Sequence, residues 1–282
     1  MDSNTKVCML TSRHFHDDAR IYHKEAKTLV DSGFAVTIIA PYRGREVTDR
    51  SIPIRIFHKT RYFRKLGTLT QLVKLGFTEK ADIYHVHEGD SSFLAGVLIK
   101  LLNGIKRKKV FLIYDSHEFW AFLFQDKAPK YLRKVVKWGF ILYEGLLITF
   151  CDAIITANDI VEAYFRFMDF RKPLVRLYNV PILSLFAKNE VPLGRKRCTF
   201  CHEGRIIMNR GIVPLLNALV VLRQRRTDWR FVFIGEAFDT EERDFLDRIF
   251  HEHPDLKEYV EITGWLTYEE VGNRLELCDV GC

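Results

Sequence analysis

The chain has 282 residues, enough for one large domain or two of ordinary size, and its 48% hydrophobic and 28% charged residues are those of a soluble globular protein with a sizeable core. Its net charge is +7 and its pI near 9.0, and the excess is local, which points towards phosphate-bearing partners. Six scattered cysteines and no apolar leader after Met1 argue against a disulfide-built secreted fold and for a reducing, cytoplasmic setting.

The elements alternate along the chain. Lys6–Leu10 reads as a short apolar strand, followed by a polar loop, Thr11–Asp18. A helix is expected from Ala19 to Ser32, capped by Asp18, ended by Gly33, with Ile21, Tyr22, Ala26, Leu29 and Val30 on one face. Strands follow at Phe34–Ala40, Ile52–Phe57 and Asp82–His87, then a helix at Ser92–Leu102 and a strand at Val110–Tyr114. A long helical stretch, Pro129–Phe150, precedes the strand Ala153–Thr156, the helix Asp159–Met168 and the strand Val175–Val180. The longest apolar run, Trp138–Ile155, holds Glu144 and Asp152, so it reads as a core helix entering a strand rather than a membrane span.

Short apolar runs separated by helices mean a parallel sheet covered on both faces. A first domain is therefore expected over 1–181 and an interdomain linker over 182–197, which carries Pro192, Gly194 and the run Arg195-Lys196-Arg197. A second alternating series fills 198–282: strand Thr199–His202, helix Ile212–Arg223, strand Arg230–Ile234, helix Glu241–His251, strand Val260–Thr263, helix Tyr268–Leu277 and a strand from Asp279. That last strand is expected to be cut at Cys282. The second sheet would then be incomplete, with Val232, Ile234 and Ile262 uncovered.

In open parallel sheets, ligands bind beyond the C-terminal ends of the strands. Ser12, Arg13, His14, His16 and Asp17 follow the first strand; His85, His87, Glu88 and Asp90 stand at the end of the fourth; Asp115, Ser116, His117 and Glu118 follow the fifth. A single histidine after a strand usually caps a neighbouring backbone group, but several in register favour a site. His85 and His87 are read as facing opposite sides of their strand, and so as poor partners for one ion; no metal constellation is found. Cys198-Thr199-Phe200-Cys201-His202 matches a haem-attachment pattern and half of a zinc site, but it reads as strand and no second cysteine pair follows. No P-loop and no Gly-x-Gly-x-x-Gly after the first strand is present, which argues against a P-loop kinase and an ordinary dinucleotide oxidoreductase.

The segment Cys201–Gly211 reads as a strand, a glycine turn at Gly204, two arginines, Arg205 and Arg210, and a helix start. Helix N-termini and guanidinium forks both favour phosphate oxygens. An ordinary strand–turn–helix with two solvated arginines fits the same residues.

Five segments together resemble a family. They are Asp18-Ala19-Arg20-Ile21 with Lys24-Glu25-Ala26, Leu29 and Gly33; Asp82–His87; Tyr114-Asp115-Ser116-His117-Glu118; His202-Glu203-Gly204-Arg205 with Arg210-Gly211; and Gly264-Trp265-Leu266 with Tyr268-Glu269-Glu270. In order and spacing the chain is similar to the retaining, nucleotide-sugar-dependent glycosyltransferases of family 4. The resemblance implies an α/β, GT-B-like architecture: two doubly wound parallel-sheet (Rossmann-like) domains facing a cleft, the first on the acceptor side and the second binding the donor.

The resemblance further implies transfer of a hexosyl-type sugar from a nucleotide-diphosphate donor to a polysaccharide or lipid-linked acceptor, with retention of configuration. Arg205 and Arg210 would hold the diphosphate beside Gly204, with Trp265 and Leu266 near the base. His117 would be the catalytic residue at the donor sugar and acceptor hydroxyl. His14, His16, His87, Asp90 and Glu118 would line the acceptor side, and the loop Ser12–Asp17 would cover the diphosphate. No metal or other cofactor is implied. The partners implied are the nucleotide sugar, a glycan or lipid-linked acceptor and an anionic membrane surface, but no nucleic acid. The protein would be cytoplasmic, peripheral on the inner face of the membrane, and engaged in polysaccharide biosynthesis.

The chain departs from the pattern twice. Arg13-His14-Phe15-His16 stands where the family has a glycine-rich stretch, and the family's two late glutamates, seven residues apart, fall beyond Cys282. An inactive phosphate- or membrane-binding remnant of such an enzyme is therefore one alternative, and a sugar-nucleotide epimerase of the same fold another. The membrane reading rests on Lys130, Arg133, Lys134 and Lys137 beside Tyr131, Leu132, Val135, Val136 and Trp138; a basic helix edge packed on the core is its alternative.

Overall fold

The computed structural model describes residues 5–42, 51–58, 64–168, 171–182, 197–237 and 239–282. Nearly all of the expected linker lies outside these residues. The chain divides into two compact units, Met1–Val180 and Pro181–Cys282.

In the first unit, β1 (Lys6–Leu10), β2 (Ala35–Pro41), β3 (Ile54–Phe57), β4 (Ile83–Val86), β5 (Phe111–Ser116), β6 (Ala153–Thr156) and β7 (Leu174–Arg176) form one sheet. Its order is β3-β2-β1-β4-β5-β6-β7, with every neighbouring pair parallel. The direction of winding reverses between β1 and β4, so the loops after these two strands flank a topological switch point.

The strands read as apolar runs because both faces are covered. Val7 and Met9 of β1 pack with Ile21, Tyr22 and Ala26, while Cys8 and Leu10 pack on the opposite face with Tyr84, Val86, Leu112 and Tyr114. Each large apolar side chain buried in this way contributes about 1.5–3 kcal/mol relative to exposure. The first face is covered by a π-wound turn, Ala19–Ala26, that continues as α1 (Lys27–Asp31). The other face carries residues of α2 (Arg64–Glu79), α3 (Ser91–Ile105), α5 (Arg133–Ile148) and α6 (Asp159–Phe167), in chain order around the short α4 (Trp120–Asp126).

Two helices, α2 and α4, are absent from the sequence reading. Gly67 and Gly76 interrupt the helical pattern of α2, but Gly76 has a packing reason: a Cβ there would lie 2.6 Å from Ile99 Cδ1 of α3. β5 runs two residues further than expected because Asp115 and Ser116 pair with Ile155 and Thr156. The long helical stretch resolves into a 3₁₀ turn, Lys130–Leu132, and α5. Glu144, the acid inside the apolar run, is buried and accepts hydrogen bonds from Tyr114 Oη (2.6 Å) and Tyr164 Oη (2.7 Å). No helix among the described residues is long and apolar enough to cross a membrane.

The second unit has a parallel sheet of β8 (Cys198–Glu203), β9 (Trp229–Ile234), β10 (Val260–Ile262) and β11 (Val280–Gly281) in the order β10-β9-β8-β11. Trp229, Phe231 and Phe233 pack with Ile212, Leu216 and Leu219 of α7 (Ile212–Arg225) and with Leu246 and Ile249 of α8 (Thr240–Glu252). The expectation of an uncovered sheet face needs correction. Val232 and Ile234 are buried with Cys201 against Leu266 and against Val271 and Leu275 of α9 (Tyr268–Leu275). Of the three residues named, Ile262 alone is exposed.

Candidate active site

The loop after β1 is built around Glu88, a fully buried carboxylate just past β4. Glu88 accepts the backbone N–H of Ser12 (3.0 Å) and of Arg13 (3.2 Å), and the hydroxyls of Ser92 (2.7 Å) and Thr11. The N–H of His14 goes to Thr11 Oγ1 at 2.9 Å. Three successive N–H groups are thus turned inward. Glu88 and Thr11 satisfy these backbone donors of the loop from within the unit. Burial alone would raise the Glu88 carboxyl, but the His14 charge and the hydrogen bonds from Thr11, Ser12 and Ser92 hold it below its ordinary value.

Arg13 pairs with Asp90 at 3.1 Å, and Ser12 Oγ donates to the same carboxylate. His14 Nδ1 lies 2.8 Å from Asp18, which also accepts the N–H groups of Arg20 and Ile21 and so caps the following helix. Burial lowers the His14 pKa, but the hydrogen bond to Asp18 and the charges of Asp18, Glu88 and Glu118 outweigh it and raise the group from 6.5 to about 9.

A second polar layer sits under the π-wound turn. Residues two apart on a strand point to one face, which corrects the expectation that His85 and His87 diverge: their rings lie 4.3 Å apart. Asp115 reaches the same face from β5, since Leu112 and Tyr114 take the other. The wide turn places Arg20 and Glu25 above them. Arg20 donates from Nη2 to Asp115 at 3.0 and 3.1 Å, from Nη1 to Leu177 O at 2.8 Å, and pairs from Nε with Glu25 at 2.7 Å.

His117 closes the cluster. Its Nε2 is 3.0 Å from Asp115 Oδ2 and 3.1 Å from Arg20 Nε. One nitrogen cannot donate to the carboxylate and accept from the guanidinium together. An N–H facing an anion is favoured and Asp115 Oδ2 is the closer of the two neighbours, so Nε2 is assigned as a donor to Asp115 and Nδ1 is the nitrogen left over. Burial would raise Asp115, but the charge and hydrogen bond of His117, then His87 and Arg20, hold it well below the carboxylate range. Glu25 goes the other way, pushed up first by burial and then by the Asp115 charge. Two adjacent carboxyls thus differ in protonation because one has the cations and the other has the burial.

In the second unit, Gly204 (φ +121°) turns the chain after β8 and Gly211 (φ +80°) caps α7, both in the left-handed region that favours glycine. A Cβ on Gly235 would lie 1.9 Å from Gly204 O, so the turn after β9 approaches the turn after β8 this closely only because position 235 lacks a side chain. Arg205 and Arg210 are exposed on this loop, and no side chain caps α7. Trp265 is exposed, whereas Leu266 packs inward on Val232 and Ile234.

The first unit therefore brings together His14, His87 and His117, since the His14 and His87 rings each lie 5.5 Å from that of His117, while Asp90 is held by Ser12 and Arg13 of the same loop as His14. His16 is buried and Glu118 is exposed. Sequence reasoning placed His85, Glu88 and Asp115 among the strand-end residues without giving them a role, and saw Arg20 and Glu25 only as part of a helix motif. The period-two rule for strands was the signal that pointed to His85; Arg20 and Glu25 carried none beyond their place in the helix motif. Glu25, His85, His87 and Asp115 are the one group among the described residues with metal-ligand spacing.

A comparison of the sequence with curated proteins finds no match. Among solved structures, Anabaena HepE in complex with UDP and glucose aligns over 98% of this chain and 73% of its own, at 15% identity and a TM-score of 0.68. The catalytic domain of starch synthase IV from Arabidopsis thaliana, bound to ADP and acarbose, aligns over 98% and 77% at 11% identity and 0.65. A putative UDP-N-acetylglucosamine 2-epimerase from Listeria monocytogenes aligns over 99% and 73% at 14% identity and 0.61. These likenesses establish the expected α/β, GT-B type of architecture, which transferases and epimerases share. The family described as Glycosyltransferase Family 4 matches residues 19–180, more than half of the chain, a span that holds Arg20, Glu25, His85, His87, Asp115 and His117. The chain belongs to glycosyltransferase family 4.

Proposed function

We propose that this protein transfers a hexosyl-type sugar from a nucleoside-diphosphate donor to a lipid-linked or polysaccharide acceptor with retention of configuration. The observation that carries the reading is His117, fixed by Asp115 at the mouth of a polar cluster and 11% exposed, with its second ring nitrogen available to a hydroxyl. The donor side is assigned to Gly204, Arg205, Arg210 and the uncapped start of α7, a combination of dipole and guanidinium charge suited to a diphosphate leaving group. Trp265 offers an exposed ring for the base. No metal enters this reading of the chemistry, because the two arginines and the helix start supply the countercharge.

A lipid-linked acceptor is favoured by the surface of α5. Tyr131, just before it, and Val135, Trp138, Leu142 and Leu146 within it are between 62% and 82% exposed at helical spacing, beside Lys130, Arg133, Lys134 and Lys137. This stripe refines the sequence reading, since Val136 turns instead into a groove of about 480 Å³ with Leu69, Leu94 and Phe140. The groove ends at Asp90, the partner of Arg13. An anionic bilayer matches such a surface, in keeping with a cytoplasmic protein peripheral on the inner face of the membrane.

The test is calorimetric titration with UDP, ADP and GDP, followed by a transfer assay from the matching labelled sugars onto lipid extracts. Binding of one diphosphate with label moving to lipid is the expected result. Epimerised donor without transfer would favour the epimerase reading, binding without any turnover would favour an inactive relative, and no binding would overturn the donor assignment.

A further inference from the structure

Four buried side chains converge between the π-wound turn and strands β4 and β5. Glu25 Oε2 is 3.6 Å from His87 Nδ1 and 4.0 Å from His85 Nε2, and Asp115 Oδ2 is 3.7 and 3.8 Å from the same nitrogens. These spacings are too long for hydrogen bonds. Accordingly Glu25 Oε2, His85 Nε2 and both ring nitrogens of His87 have no hydrogen-bond partner, although every one of the four residues is at most 8% exposed. Buried polar atoms without partners are costly, and such a group in a folded protein needs an explanation.

The spacings themselves suggest one. The four ligand atoms all lie within 4.8 Å of one another, a little wider than the roughly 3.3–3.6 Å edges of a tetrahedron whose zinc bonds to imidazole nitrogen and carboxylate oxygen are about 2.0–2.2 Å, so small side-chain shifts bring the set to bonding distance. Two imidazoles and two carboxylates form a borderline donor set suited to Zn²⁺. The surroundings fit as well. Arg20 holds both carboxylates in place, pairing with Glu25 Oε1 at 2.7 Å and donating from Nη2 to Asp115 Oδ1 at 3.1 Å and Oδ2 at 3.0 Å, and His117 Nε2 lies 3.0 Å from the same Oδ2, so both carboxylates are oriented by neighbouring polar groups.

We propose that Glu25, His85, His87 and Asp115 form a closed, four-ligand Zn²⁺ site inside the first unit. The ion ties the helix that begins at Ala19 to β4 and β5 and fixes Asp115, which in turn orients His117. The site is structural, and its metal content and melting temperature are read without a transfer assay, so its failure is distinguishable from failure of the transferase reading. The competing occupant is a proton on Glu25 shared with Asp115.

The test uses the full chain with the exposed thiols removed (Cys198→Ser, Cys282→Ser), purified without chelator. Elemental analysis should find a single zinc per chain, and dialysis against EDTA should lower the melting temperature until Zn²⁺ restores it. Co²⁺ in place of zinc should give the visible absorption of a tetrahedral site. His85→Gln/His87→Gln and Glu25→Gln should each lower the metal content at least tenfold, while His23→Gln/His58→Gln leaves it unchanged. A parent chain that is isolated metal-free, takes up neither Zn²⁺ nor Co²⁺ and melts at the same temperature with EDTA would overturn the proposal in favour of the shared proton. So would a folded His85→Gln/His87→Gln chain that keeps its zinc.

Discussion

Arg20 and Glu25 meet at 2.7 Å although they stand five residues apart on one helical segment. On an α-helix, side-chain neighbours are three and four apart; the wider π turn brings residues five apart onto one side. The local winding therefore creates the pair, and the pair sits over Asp115. Arg20→Ala would leave two buried carboxyls without their guanidinium. It should cost the first unit about 3–5 kcal/mol in urea unfolding, the range for breaking a buried pair, with Arg20→Lys falling between. A variant as stable as the parent would remove Arg20 from its place as the keystone of the cluster.

His117→Ala should reduce sugar transfer at least about 100-fold, the lower end for a positioned proton-handling group, while the unfolding midpoint shifts little. The side chain lies at the edge of the polar cluster and belongs to neither apolar core of the first unit. Near-normal turnover in a soluble, folded variant would take His117 out of the chemistry.

Arg205→Ala and Arg210→Ala should each weaken nucleoside-diphosphate binding by about 1.5–3 kcal/mol, the value of a hydrogen bond to a charged group. Calorimetry with the diphosphate and with the parent nucleoside separates the effects: the loss should be confined to the phosphorylated ligand. Equal affinity of both variants and the parent would place the diphosphate elsewhere.

The His14–Asp18 pair gives a pH signature. The folded His14 pKa, about 9, lies above its ordinary 6.5, so the stabilisation is complete below pH 6.5 and is lost as the pH rises through about 9. Histidine NMR should show His14 titrating near 9, and Asp18→Asn, which keeps a capping oxygen, should bring it down towards its ordinary value. Hydrogen exchange in the first helical turns should quicken over the same window. A His14 that titrates near 6.5 in the parent would mean that the pair does not form.

Trp138→Glu/Leu142→Glu should abolish sedimentation with anionic vesicles at low salt, and Lys134→Glu/Lys137→Glu should weaken it in a salt-dependent way. Neither pair contributes to the buried core, so circular dichroism should be unchanged. Equal sedimentation of the parent with neutral and anionic vesicles would argue against an electrostatic contribution to docking.

The sequence by itself determined the alternation of strands and helices, because parallel strands buried on both faces must be apolar throughout and helices between them must show one apolar face. It also located His14, His87, Asp90 and His117 at strand ends, since chain order alone says which residues follow a strand. Tertiary structure decided the rest. Gly76 looks like a helix breaker until Ile99 is packed against it, and Val232 and Ile234 look uncovered until α9 lies over them. Arg20 and Asp115 are 95 positions apart, and Glu25 joins them only through the π turn. No local pattern records such a meeting, because what selects it is the cost of leaving buried charges unpaired, a cost that exists only once the sheet and its covering helix have excluded water.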